Sequence, residues 1–213
     1  MSRVLGILRR EHDGWNAPVV TFISTSTGDP YRTLTSCILS LRTRDEVTAK
    51  ASERLFALAD SPAKLAATPE DVLAKAIYPV GFYRTKARTL REIGRLLVER
   101  WAGRVPDEID DLLTLPGVGR KTANLVLVEA YGKPGICVDT HVHRISNRWG
   151  YVKTKTPEQT EMALRAKLPA KHWLEINALL VAFGQTICHP TSPRCSVCPI
   201  ARYCPRIGVV RSR

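Results

Sequence analysis

The stretch from Leu112 to Arg144 restricts this chain more than any other. It reads Leu-Leu-Thr-Leu-Pro-Gly-Val-Gly-Arg-Lys-Thr-Ala-Asn from Leu112 to Asn124, runs on through apolar residues to Tyr131, and closes on Val-Asp-Thr-His-Val-His-Arg from Val138 to Arg144. Glycines at 117 and 119 permit positive φ and a close backbone approach. The amides of Gly117, Val118, Gly119 and Arg120 can therefore converge on an anion such as phosphate. The run from Arg120 to Tyr131 has helical composition, and its N-terminus adds a partial positive charge directed at the same anion. Lys121 stands in that first turn, where an amine in a positive field is a candidate nucleophile. Asp139 opens the next helix, placed to accept a proton from the amine or to stabilise a cation. Taken singly, the turn is an ordinary loop, Asp139 a helix cap and Lys121 a solvated lysine. The combination at this spacing is what points to chemistry.

The rest of the chain is patterned for helices. Residues 3 to 12 form a short amphipathic helix with Val4, Leu5 and Leu8 on one face, and Asp13 to Pro30 reads as loop, with Val19 to Ser24 able to be extended. Leu34, Cys37, Ile38 and Leu41 then recur at helical spacing, so Cys37 is a core thiol. Asp45 to Ala59 follows, and Thr68-Pro69-Glu70 and Thr156-Pro157-Glu158 carry the chemistry of helix starts. The helix from Arg84 to Trp101 sets Arg84, Lys86, Arg88, Arg91, Arg95 and Arg100 on a solvated face. Further helices are expected at 139 to 149, from Thr156, and from Lys171 to Ile187. Few segments alternate with period two, which makes the chain all-α with roughly ten helices.

The C-terminal segment holds Cys188, Cys195, Cys198 and Cys204 in a C-x6-C-x2-C-x5-C array. Zinc sites usually pair two separated Cys-x-x-Cys or Cys/His units. One compact run with a single internal Cys-x-x-Cys suits the four corners of an iron-sulfur cubane better, with zinc as the alternative. A reducing, intracellular setting is expected, since the N-terminal apolar patch is too short and too soon followed by arginines for a signal peptide. No apolar run reaches the length of a membrane span. Of 213 residues, 32 are Lys or Arg against 20 Asp or Glu, a net charge of +12 that favours a polyanionic partner, nucleic acid above membrane.

The Leu-Pro-Gly-Val-Gly-Arg-Lys-Thr-Ala-Asn and Val-Asp-Thr-His segments, together with the cysteine spacing, resemble the endonuclease III family of DNA base-excision glycosylases. The resemblance covers nearly the whole chain. It implies an all-α, two-lobed helix-hairpin-helix DNA glycosylase fold, with a six-helix barrel over 24–131, an iron-sulfur cluster lobe formed by 1–23 and 132–213, and a DNA-binding cleft between them. It also implies a bifunctional DNA glycosylase and AP lyase acting on oxidised or ring-saturated pyrimidines. In that scheme Lys121 attacks the sugar and forms a Schiff base, Asp139 assists, and β-elimination cuts the strand on the 3′ side. The four cysteines would hold a [4Fe-4S] cluster.

The same resemblance assigns DNA contacts to Gly117, Val118, Gly119, Arg120, His141 and Arg144. Arg194 and Arg202, between the cluster cysteines, would meet phosphate. Phe82 and Arg42 stand where the family's wedge and gap-filling side chains enter the duplex, and Arg42 replaces the glutamine that many members carry. The implied partner is double-stranded DNA with a damaged base or abasic site, bound by a monomer in the cytoplasm or nucleoid, with no membrane. The competing readings are a monofunctional mismatch glycosylase, which generally lacks the lysine, and a non-catalytic DNA-binding module, which needs neither Lys121 nor Asp139.

Overall fold

The computed structural model describes residues 1–11, Trp15 and 18–213. In chain order its helices are α1 (Ser2–Glu11), α2 (Val19–Thr27), α3 (Pro30–Ser40), α4 (Asp45–Leu58), α5 (Pro62–Ala67), α6 (Glu70–Ile77), α7 (Tyr83–Trp101), α8 (Ile109–Leu113), α9 (Arg120–Tyr131), α10 (Thr140–Arg148), α11 (Pro157–Lys167) and α12 (Ile176–Thr186). Among the described residues there is no strand. None of these helices is long and apolar enough to cross a membrane. The chain divides into two compact units, Val19–Lys133 and Met1–Pro18 with Pro134–Arg213.

In the unit of residues 19–133, α3 is the central element. Tyr31 and every residue from Thr33 to Leu39 are buried, and α3 packs on α2, α4, α7 and α9. A helix buried on all sides must satisfy its polar side chains internally. Tyr31 Oη donates to the Ala59 carbonyl at 2.8 Å, Thr35 Oγ1 to Tyr31 at 2.8 Å, and Ser36 and Ser52 hydroxyls lie 3.2 Å apart. Burial pushes the Cys37 thiol up to about 12, in keeping with an inert core residue. In the other unit, Leu5 and Leu8 of α1 join Val142, Ile145, Leu164, Leu180 and Phe183 in a second apolar core.

Helix starts follow local chemistry where a cap residue precedes proline. Asp29, Ser61 and Thr156 each accept an amide from the first turn, before Pro30, Pro62 and Pro157 respectively. Thr68 departs from the sequence expectation. Its hydroxyl turns back to the Lys64 carbonyl at 2.7 Å and closes α5, so α6 begins after Pro69 without a side-chain cap.

Three larger differences come from tertiary packing. The stretch from Val19 is α2, neither loop nor extended. Its Thr21 and Ser24 hydroxyls bond Glu129 of α9 while Thr25 and Thr27 bond carbonyls one turn back, so docking overrides the β-branched composition. The expected helix from Lys171 starts only at Ile176. Residues 170–172 form a 3-10 turn in which His172 bonds Ser2 at 2.9 Å and Glu175 at 2.6 Å, and Glu175 bonds Arg9, tying the turn to α1. Of the remaining N-terminal loop expectation, residues 12–14, 16 and 17 lie outside the described residues.

Lys86 is the third. The helical pattern puts it on the solvated face of α7, yet it is only 7% exposed. Its Nζ donates to the carbonyls of Leu39 at 2.8 Å and Leu41 at 2.5 Å and to Thr43 Oγ1 at 3.2 Å, so the amine closes the C-terminus of α3. Burial lowers its pKa to about 8. The unfolded chain, with a lysine pKa near ~10.4, binds more protons between these two values, so stability rises as pH rises through that window. Urea titrations should show wild type gaining on the order of 2 kcal/mol relative to Lys86→Met between pH 7.5 and 10.

Candidate active site

In the 19–133 unit, α8 and α9 flank a tight turn from Thr114 to Gly119. Leu115 and Val118 are buried and anchor the turn, and the Val118 amide donates to the Leu115 carbonyl at 3.2 Å. Val118 therefore serves as an anchor, and its amide is already committed, which corrects the expectation that it faces an anion. The two glycines do different work. Gly117 has φ +74°, and a Cβ there would lie 3.1 Å from Thr89 Cγ2. Gly119 caps α9 with φ −97° and ψ 178°, ordinary extended backbone, and a Cβ there would meet nothing within 4 Å. Its side faces open space. Beyond it the first turn of α9 offers N–H groups that no helix can satisfy internally. Arg120 and Lys121 are both exposed in that turn.

The same unit brings Arg42 and Phe82 together. Both are exposed, both adopt left-handed backbone at φ 54° and 58°, and the Arg42 guanidinium lies 5.6 Å from the centre of the Phe82 ring. Asp45 begins α4.

In the other unit, Asp139 caps α10, its Oδ1 accepting the Val142 amide at 2.8 Å. The cap fixes the half-buried carboxylate at the start of the helix. His141 and Arg144, both half-buried, make contacts within this unit. A Cβ on Gly184 would fall 2.2 Å from His141 Nδ1, so the ring rests on the backbone of α12. Arg144 Nη2 lies 3.0 Å from that nitrogen and donates to the Cys188 carbonyl at 2.8 Å. Arg144 thereby helps dock the cysteine loop, and His141 stands between Arg144 and α12. His143 belongs to a polar network with Thr160, Thr154 and Asn147.

Cys188, Cys195, Cys198 and Cys204 line one cavity, closed by Phe183, Trp149 and Ile187. Burial raises the Cys198 thiol to about 11 and Cys204 in the same direction. Among the described residues, no three His, Cys, Asp or Glu side chains form a group able to hold a single metal ion. The cavity does fit an anionic group. Arg148, 6% exposed, donates from Nη1 to Cys188 Sγ at 3.1 Å and to the His189 carbonyl and from Nη2 to the Pro190 carbonyl, while its buried Nε has no partner. A buried guanidinium that bridges to no carboxylate among the described residues calls for negative charge at the sulfurs. Arg148 was missed in the sequence because an arginine ending an amphipathic helix looks like an ordinary cation near a helix C-terminus. Arg194 and Arg202 are exposed on this loop, Arg202 over the Tyr203 ring at 4.7 Å.

The chain is similar to one group of known proteins. The family described as HhH-GPD superfamily base excision DNA repair protein matches residues 35–170. Endonuclease III of Thermotoga maritima is 54% identical over 177 residues, 83% of this chain and 83% of that protein. Endonuclease III-like protein 1 of Mus musculus is 45% identical over 178 residues, spanning 82% of this chain but 59% of the mouse protein. Among solved structures, a trapped endonuclease III–DNA covalent intermediate in an estranged-adenine complex matches with TM-score 0.79 and 35% identity over 84% of each chain. A thermostable thymine-DNA glycosylase matches with TM-score 0.81 and 28% identity, covering 96% of this chain and 93% of that one. The chain belongs to the endonuclease III family of helix-hairpin-helix base-excision repair proteins. Its activity is that class's own, DNA glycosylase with AP lyase.

The two hairpin glycines should separate in stability measurements. Gly117→Ala forces a side chain into left-handed backbone against Thr89 and should cost about 1–2 kcal/mol. Gly119→Ala should leave thermal stability within about 0.5 kcal/mol of wild type.

Proposed function

We propose that Lys121 is the nucleophile of this enzyme, that Asp139 is its acid-base partner, and that the substrate is duplex DNA carrying an oxidised or ring-saturated pyrimidine or an abasic site. The observation that carries the proposal is an exposed amine in the first turn of α9, immediately behind a glycine turn whose outer side is open. A phosphate seated on the amides at the start of α9 would hold the sugar beside that amine. The free amine attacks C1′, the bond from C1′ to the base breaks, and the base leaves with the electron pair and takes up a proton. The sugar ring then opens to a Schiff base on Lys121. Loss of a C2′ proton expels the 3′ phosphate, and hydrolysis frees the lysine. Asp139 accepts the lysine proton or stabilises positive charge on the sugar as the base departs. The covalent intermediate trapped for endonuclease III supports this route by analogy.

Gly117, Gly119 and Arg120 are proposed to hold phosphate, with Arg194 and Arg202 adding contacts from the cysteine loop and Phe82 and Arg42 entering the stack. His141 and Arg144 would act mainly by holding that loop. The protein is proposed to work as a monomer inside the cell. Cys188, Cys195, Cys198 and Cys204 would ligate a [4Fe-4S] cluster, as in the family, with Arg148 balancing its charge. When bound, the cluster supplies a structural staple for the loop.

Borohydride added to enzyme on an abasic-site duplex should trap a covalent complex with wild type and none with Lys121→Ala. Asparagine caps helices as well as aspartate does, so Asp139→Asn should keep its melting temperature while base excision falls about 10²–10⁴-fold. An unchanged rate would remove Asp139 from the chemistry. Purified wild type should carry close to one cubane of iron, and Arg148→Met should lose most of its iron and visible absorbance while the four cysteines remain.

A further inference from the structure

We propose that Lys86 is a positioning residue for base extrusion, fixing Arg42 and Phe82 as a single two-pronged tip that enters the duplex. This rests on the reading above, in which those two side chains enter the DNA stack. The tip is made of two turns that have no covalent reason to stay together. One follows α3 and carries Arg42; the other precedes α7 and carries Phe82. Both residues hold left-handed backbone, at φ 54° and 58°, which an L side chain adopts only when its surroundings impose it. Something must supply that constraint.

Lys86 touches both turns. Its amide donates to the Phe82 carbonyl at 3.0 Å, which starts α7, and its amine grips the Leu39 and Leu41 carbonyls on the near side of Arg42 and the Thr43 hydroxyl on the far side. Thr43 Oγ1 also accepts the Gly81 amide at 3.2 Å. Gly81 permits the closeness, since a Cβ there would sit 2.6 Å from the Arg42 carbonyl. With the two backbones locked, the guanidinium settles over the phenyl ring at 5.6 Å, and both side chains remain exposed. Unstacking a duplex needs a rigid wedge, because a soft one yields before the bases do. A buried cation under the paired turns provides that rigidity without being reachable by the DNA itself.

The test compares wild type, Lys86→Met, Thr43→Val, Phe82→Ala and the double variant Lys86→Met/Phe82→Ala on a dihydrothymine duplex with 2-aminopurine opposite the lesion. The fluorescence rise on binding reads extrusion, and single-turnover excision reads chemistry. Trapping on a single-stranded abasic oligonucleotide needs no extrusion. Lys86→Met should lose most of the fluorescence rise and slow duplex excision ~10-fold or more through kcat, with KM and single-stranded trapping close to wild type. The double variant should be no worse than Phe82→Ala, because both changes disable one device. A full fluorescence rise in Lys86→Met, or losses that add in the double variant, would overturn the proposal. Should Lys86→Met fail to fold, Thr43→Val removes the hydroxyl shared by Lys86 and Gly81 and carries the same comparison. Absence of trapping in wild type would sink the Lys121 mechanism alone, since the fluorescence still reports on Lys86.

Discussion

Every buried helix end must find partners for backbone groups that the helix itself leaves unpaired, and this chain, built of short helices, has many such ends. The functional features gather at them. Gly119 caps α9 with Lys121 in its first turn, Asp139 caps α10, Phe82 caps α7, and Arg42 lies just beyond α3. A helix end is where backbone amides or carbonyls point outward and where a left-handed residue can be held. It is therefore the natural place for a phosphate cradle, an oriented carboxylate or a projecting side chain. The apolar cores keep these ends in fixed positions within each unit.

The parts of this arrangement visible in the sequence are those set by local chemistry. The Pro-Gly-Val-Gly turn, the Asp139 cap, the Thr156-Pro157 start and the cysteine spacing each depend on a few consecutive residues, so their chemistry can be read directly. Lys86 and Arg148 could not be found that way. Each sits on a helix among other cations, and only the packing shows that its head is turned inward, onto partners 43 to 47 residues away for Lys86 and 40 to 42 away for Arg148. The same limit explains α2. Its β-branched run reads as strand or loop until Glu129 of α9 supplies partners for Thr21 and Ser24. His141 and Arg144 follow suit, since helical spacing gives them a face but not the glycine of α12 that receives them.

The buried cations also bear on how a protein of net charge +12 uses its few acids. An arginine or lysine taken out of water commonly pairs with a carboxylate. Lys86 bonds backbone carbonyls and a hydroxyl instead, which stabilise a cation by their dipoles without adding negative charge, and Arg148 joins two carbonyls to the Cys188 sulfur. Acids are spent elsewhere: Glu92 and Glu99 on Arg95, Glu70 on Arg88, Asp60 on Lys64, Asp107 and Glu108 on Lys133. Arg42, Arg194 and Arg202 are exposed and bridge to no carboxylate among the described residues, and two of them lie over aromatic rings. A guanidinium over a ring keeps its charge and most of its donors available, whereas one paired with an acid must break that pair before meeting phosphate. Thus several acids are committed to cations of α5, α7 and Lys133, while Arg42, Arg194 and Arg202 keep clear of carboxylates among the described residues. Carbonyl-held cations beneath the working turns give rigidity there while leaving the positive field intact.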